Sequence, residues 1–382
     1  MSAPLRPTTL EVDLDAAAHN LGAVRRLVGP DRRIFAVVKA DGYGFGAAEM
    51  GAVFARAGAD WLAVADLSEG VRLRERGLTV PILVYPNSLP GAAADALAHR
   101  LVPTLVDLES ARAYSQAAPG PCEVFVKVDV GLERLGVPAE QAVKTILAML
   151  ELPRLALGGL CAHPHAEPGG DPAYADWQAG RFTAVVDELE ARGVRVPVRL
   201  LAASPFVLRF PHTYLNAVDP GRMLYGITFP GETPPVPLRP ALRALTTRII
   251  AVKELTPRER FAEQAPFPVP APMRLGVVPM GTADGLRWLH AGRVLVRGRA
   301  VPLIGAPSLE HTRIDLTAVP DAAVGDEVVV IGRQGDLEIT PAEVAARHGL
   351  GPHHVATTVG PRVTRVYHGE NPGRGQVLHS DI

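Results

Sequence analysis

The sequence predicts an α/β chain in two parts, an N-terminal (β/α)8 barrel followed by a mainly β C-terminal domain. Over the first two thirds of the 382 residues, short β-branched runs alternate with amphipathic stretches rich in Ala, Leu and Arg, the pattern of βα units around a parallel sheet. Eight such units can be counted, the number that closes a barrel. Past Phe229 the Pro-rich run Pro230 to Pro237 interrupts this texture, and short strand-like runs separated by Gly and Pro follow it. At roughly 150 residues per domain the length agrees with two domains, placed at residues 1–235 and 236–382.

A helix from Asp15 to Val28 comes first, so the barrel is entered through a helix. Barrel strands are predicted at Ile34 to Ala40, Trp61 to Asp66, Pro81 to Tyr85, Val102 to Val106, Glu123 to Val130, Ala156 to His163, Val198 to Ala203 and Ala217 to Tyr225, with helical spacing between most of them. In the second domain Thr246 to Val252, Arg293 to Val296 and Glu327 to Ile331 read as strands. No internal repeat or charge block interrupts either part.

Composition excludes several function classes. Hydrophobic residues at 47% and charged residues at 21% predict a packed core, and 39 Lys+Arg against 40 Asp+Glu leave a net charge of -1, without the electrostatic footprint of a nucleic-acid or anionic-membrane binder. No apolar run approaches the length of about 18 residues that spans a bilayer. The segment Met1 to Pro7 lacks the apolar stretch of a signal peptide, so a cytoplasmic protein is expected. Cys122 and Cys161 each lie inside an apolar segment, giving neither a disulfide framework nor a zinc spacing, and no metal site is expected.

In a barrel the chemistry sits where strands end, at the C-terminal face. The first barrel strand runs into Lys39, followed by Ala40-Asp41-Gly42-Tyr43-Gly44-Phe45-Gly46. An ammonium at an apolar strand end is desolvated, which lowers its pKa and suits it to form a Schiff base. Taken alone, such a lysine more often snorkels to solvent. The surrounding residues reverse that preference.

Val38-Lys39-Ala40-Asp41-Gly42-Tyr43-Gly44 resembles the pyridoxal-phosphate lysine motif of the alanine racemase family, the fold-type III pyridoxal-phosphate enzymes. The resemblance extends over nearly the whole chain. Leu10 to Leu14 with His19-Asn20-Leu21 is similar to the family's opening, Lys127 to Gly131 with Arg134-Leu135-Gly136 to its fifth-strand motif, and Asn216 to Gly226 to its barrel-closing motif. Gly281 to Gly285, Ile314 to Thr317, Val324 to Glu327 and Arg362 to Tyr367 keep the order of its C-terminal domain.

The resemblance implies that pyridoxal 5'-phosphate is the cofactor, that Lys39 forms the internal aldimine, and that Lys39 is the base on one face of the substrate α-carbon. Tyr43, Ser204 and the backbone amides of Gly221 and Arg222 match phosphate-binding positions, Arg134 a contact to the cofactor phenolate and substrate carboxylate, and His163 a histidine near the pyridine ring. Lys127 matches a position that can be carbamylated in relatives. The second domain is implied to complete the active site of a partner subunit in a head-to-tail homodimer.

Two departures shape the expected reaction. Where the family sets an arginine against the pyridine nitrogen, this chain has Asp219, and a carboxylate there favours the pyridinium and a better stabilised quinonoid. Where the family has its catalytic tyrosine, before Ala-Asp-Gly, this chain has Thr282, whose hydroxyl cannot exchange protons as a phenol of pKa about 10 does. His353 stands where the family has a phosphate-contacting tyrosine, and the pair His353-His354 offers a proton-transfer group near neutral pH.

A strong electron sink with one certain base predicts one-face chemistry. The expected reaction is aldolase-like or hydroxymethyl-transfer-like, on a small D- or α-substituted amino acid with an aldehyde or one-carbon donor or acceptor. The alternatives are half-transamination, an amino-acid racemase using His353, His354 or His163 as second base, and a non-catalytic pyridoxal-phosphate carrier.

Overall fold

A computed structural model describes residues 5–167, 169–257 and 262–369. Residues 1–4 of the opening heptapeptide and 370–382 of the second domain lie outside the described residues. The chain divides into two compact units, Ala16–Arg239 in one and Met1–Asp15 with Pro240–Ile382 in the other. The N-terminal strand β1 (Thr9–Asp13) therefore lies with the β unit rather than with the barrel.

After helix Leu14–Val28 the barrel strands follow: β2 (Arg33–Val37), β3 (Trp61–Val64), β4 (Ile82–Val84), β5 (Val102–Leu105), β6 (Cys122–Asp129), then, past the two-residue β7 (Val137–Pro138), β8 (Leu155–Cys161), β9 (Val198–Ala203) and β10 (Ala217–Asp219). They pair in parallel in the order β5-β4-β3-β2-β10-β9-β8-β6, and pairing of β5 with β6 closes the barrel. β7 only extends the end of β6. The eighth strand is shorter than its apolar run, because Pro220 donates no amide to a ladder and the chain turns at Gly221 into a 3-10 turn, Arg222–Tyr225.

Side chains that alternate along the strands fill the interior: Phe35, Val37, Ala63, Leu83, Phe125, Cys161, Leu200 and Ala217. Phe35 stacks on Trp61 at 5.1 Å, and Phe125 meets both rings edge-on at 6.0 and 5.7 Å. Gly159 leaves room for this plug, since a Cβ there would lie 2.7 Å from the Phe125 ring. A second cluster, including Leu105, Val124, Val126, Ile146, Phe182 and Leu189, packs strands against outer helices. Asn20 on the entry helix donates to the carbonyls of Leu224 (3.1 Å) and Arg239 (2.7 Å), tying the helix to the closing turn.

The β unit continues with β11 (Leu242–Arg248), β12 (Ala251–Leu255), β13 (Met273–Val278), β14 (Arg293–Val296), β15 (Arg299–Ile304), β16 (Thr312–Asp315), β17 (Glu327–Gln334), β18 (Leu337–Ile339) and β19 (Thr364–His368). The run predicted as one strand from Thr246 to Val252 is two. At Ile249 and Ile250 the chain changes partner, their amides reaching Asp326 O at 3.0 Å and Val277 O at 2.9 Å. β1 sits between β11 and β19, antiparallel to the first and parallel to the second. No helix among the described residues is long and apolar enough to cross a membrane, and no cluster of three or more metal-ligating side chains occurs among them.

Candidate active site

Lys39 is the second residue past the end of β2, and the chain there turns left-handed. Ala40 (φ 53°), Asp41 (51°), Gly42 (60°) and Tyr43 (56°) follow one another in that region. Only glycine enters it freely, and each other residue costs about 1–2 kcal/mol. The turn is held from several sides. Gly42 N–H donates to Val38 O and Gly44 N–H to Ala40 O, both at 2.9 Å, and the Asp41 carboxylate accepts Ala47 N–H at 2.9 Å. Buried Glu69 accepts Ala40 N–H at 2.6 Å and Ala65 N–H at 2.8 Å, clamping the ends of two neighbouring strands. Strain held this firmly next to a buried lysine is a mark of a functional site.

Burial lowers the pKa of the Lys39 amine, helped by the cations Arg134 and Lys127 and opposed by Asp219 and Glu69. The amine is thereby closer to its neutral, nucleophilic form.

Across the barrel mouth, Ser204 follows β9 directly, and its buried hydroxyl accepts Gly221 N–H at 2.9 Å. Tyr43 lies over Gly221, where an added Cβ would fall 2.3 Å from its hydroxyl. Its ring packs on Tyr225 at 4.8 Å, and Tyr225 donates to Val37 O at 2.9 Å. Two hydroxyls and a glycine turn thus share one small space.

Asp219, the last residue of β10, is 5% exposed. Tyr85, next after β4, donates to its Oδ2 at 2.7 Å, and its buried Oδ1 has no hydrogen-bond partner in another described residue. Burial pushes the carboxyl up to about 6, against the Tyr85 hydrogen bond and the cations Lys127 and Lys39. The buried Lys127 ammonium lies 5.5 Å from the Tyr85 ring centre. His163, two residues past β8, is held neutral, its pKa lowered to about 3 by burial and by Lys127, Lys39 and Arg134.

The other predicted site residues are placed differently. Arg134 is exposed on the loop after β6, where the Asp129 carboxylate gathers the amides of Gly131, Leu132, Glu133 and Arg134 at 3.0–3.1 Å. The Arg222 side chain pairs with Glu232 through two bonds of 2.7 and 2.5 Å and is buried. Thr282, His353 and His354 belong to the β unit. Thr282 opens a 3-10 turn anchored by the fully buried Asp284, which accepts Gly281 N–H at 2.9 Å and pairs with Arg6. His353 and His354 lie on helix Pro352–Thr357 with ring centres 4.0 Å apart.

Residues 12–229 match the family description "Alanine racemase, N-terminal domain" and residues 242–367 match "Alanine racemase, C-terminal domain". The chain belongs to the alanine racemase family. It is similar to an alanine racemase of Desulfosudis oleivorans, 38% identical over 94% of this chain and 95% of that one, and to one of Desulfovibrio desulfuricans, 35% identical over 95% and 98%. Among solved structures, alanine racemase of Bacillus anthracis with bound L-Ala-P superposes with a TM-score of 0.89 at 30% identity over 97% of both chains. The enzyme from E. faecalis gives 0.87 at 31% identity over 96% of this chain and 100% of that one.

Alanine racemase family enzymes use pyridoxal 5'-phosphate, and this chain is such an enzyme. Its residues fit that cofactor. Lys39 is a desolvated amine at a strand end, the space at Gly221 has no room for a Cβ, and Asp219 keeps one buried oxygen without a partner.

Sequence reasoning missed Glu69 and Tyr85. Glu69 lies within a helix, three residues past its cap Asp66, and nothing local marks its carboxylate as turning back toward Lys39. Tyr85 did carry a signal, since it stands at the C-terminal end of a predicted strand.

Proposed function

We propose that this family member works on the α-carbon of a small amino acid from one face, and that its preferred reaction is aldol-type cleavage or hydroxymethyl transfer at Cα–Cβ of a D- or α-substituted substrate. The observation that carries the reading is the buried, unpartnered Oδ1 of Asp219, an acceptor suited to a ring N–H. In this reading Lys39 holds the cofactor, Tyr43, Ser204 and the Gly221–Arg222 turn hold its phosphate, and Asp219 holds the proton on its ring nitrogen. When bound, the cofactor supplies the sink for the electron pair left on Cα. Lys39 moves the proton at Cα. In the cleavage direction Lys39 would take the β-hydroxyl proton, the Cα–Cβ bond would break with its electron pair left on Cα, an aldehyde would leave, and Lys39 would pass the same proton to Cα.

Thr282 supports one-face chemistry, because its hydroxyl is too weak an acid to serve the opposite face. Arg134 receives the substrate carboxylate in this reading. The β unit belongs to the same proposal, as the part that completes the partner's site in a head-to-tail homodimer.

A second reading, an amino-acid racemase with a histidine as second base, is favoured by the names of the relatives. His163, with a pKa near 3, is a weak base at neutral pH, so His353 or His354 would take that role.

The two readings separate when β-hydroxy amino acids of both configurations are supplied. Aldehyde release with full optical purity of the recovered amino acid is expected. Loss of optical purity without aldehyde would overturn the aldol reading in favour of the second.

A further inference from the structure

Tyr85 is unassigned by any motif in the sequence, yet its hydroxyl reaches the carboxylate buried where β10 ends. The contact is polarised: the phenol donates to Oδ2 at 2.7 Å and leaves Oδ1 as the sole open acceptor of a side chain 5% exposed. The carboxylate side chain of an aspartate turns about a broad, soft torsion, so an unrestrained one has no preferred presentation. The Lys127 side chain lies over the same tyrosine ring, its Nζ 5.5 Å from the ring centre.

We propose that Tyr85 is a positioning residue, which anchors one oxygen of Asp219 so that the other is presented to the cofactor ring nitrogen. This rests on the role of Asp219 proposed above. The ring is anchored as well as the hydroxyl, so Tyr85→Phe removes the hydrogen bond and keeps the packing against Lys127. Burial pushes the Tyr85 phenol well up, and Asp219, Cys161 and Tyr43 act in the same direction, so it stays a donor throughout the working range. The charged groups that act on Asp219 itself are Lys127 and Lys39.

The test is a double-mutant cycle on pyridoxal-phosphate affinity, with wild type, Tyr85→Phe, Asp219→Ala and the double variant, read by cofactor fluorescence and checked for folding by circular dichroism. Loss of a hydrogen bond to a charged group weakens the affinity of Tyr85→Phe about tenfold, and the same substitution changes nothing further in the Asp219→Ala background. Equal effects in both backgrounds would overturn the positioning role and leave Asp219 its own. Unchanged affinity in Asp219→Ala would overturn both. A second readout needs only the conservative variant: removing the phenol raises the Asp219 pKa, so the pH midpoint in the visible spectrum of the bound cofactor moves upward in Tyr85→Phe. An unmoved midpoint would overturn the proposal even if the alanine variant failed to fold.

Discussion

The carboxylate of Glu69 accepts the backbone amide of Ala40 at 2.6 Å, and through this bond a helix of one βα unit fixes the turn that carries the lysine of another. The second oxygen of Glu69 takes Ala65 N–H at 2.8 Å. Together they restrain a left-handed run that the chain would not otherwise keep.

Glu69→Ala should therefore destabilise the protein by about 2–3 kcal/mol, the cost of leaving two buried amides without their charged acceptor. Urea denaturation of the cofactor-free protein measures it. A loss within about 0.5 kcal/mol, typical of a surface change, would show that the turn stands without Glu69.

The tight seat at Gly221 gives a second expectation. Gly221→Ala sets a methyl 2.3 Å from the Tyr43 hydroxyl, and overpacking of this kind costs about 1–3 kcal/mol. Tyr43→Phe in the alanine background should recover part of the lost stability, although alone it removes a hydroxyl proposed to hold the phosphate. Thermal unfolding of the three variants checks the coupling, and strictly additive losses would contradict the contact.

Asp219 makes the fold sensitive to pH in a definite direction. Its folded pKa of about 6 lies above the ordinary value of 3.8, so the folded chain binds this proton more tightly than the unfolded one. The contribution is complete at low pH and is lost as pH rises from about 4 through 6. Cofactor-free Asp219→Asn should gain stability relative to wild type between pH 5 and 7, as measured by denaturant unfolding at the two values. No relative change between them would mean that Asp219 is not desolvated.

Thr282→Tyr should introduce loss of optical purity in an amino-acid substrate, by restoring a phenol of pKa about 10 where the family has one. Thr282→Val should leave wild-type chemistry unchanged. Chiral chromatography of alanine and serine incubated with each variant distinguishes them. Equal racemisation by wild type and Thr282→Tyr would show that the tyrosine position does not limit the second face.

The eight barrel strands were legible because each is a compact apolar run, such as Val198–Ala203, bounded by helical spacing. Lys39 and its glycines were legible through a contiguous motif. What the sequence concealed was long-range. Thr9–Asp13 is only five residues, and its pairing with Thr246 on one side and Thr364 on the other is fixed by the folding of the distant β unit. The Tyr85 bond to Asp219 spans 134 positions and exists because the barrel closes. The Arg222 motif spoke only for its backbone amide, and the commitment of its side chain to Glu232, ten residues on, was not legible from it.

In the proposed reaction Lys39 alone moves the proton at the substrate α-carbon. Proton NMR in deuterium oxide, with D- and L-amino acids supplied separately, tests it most directly. Exchange of the α-proton for deuterium is expected in one configuration with that configuration retained, and no exchange is expected after Lys39→Ala. Exchange from both configurations with loss of optical purity would contradict it.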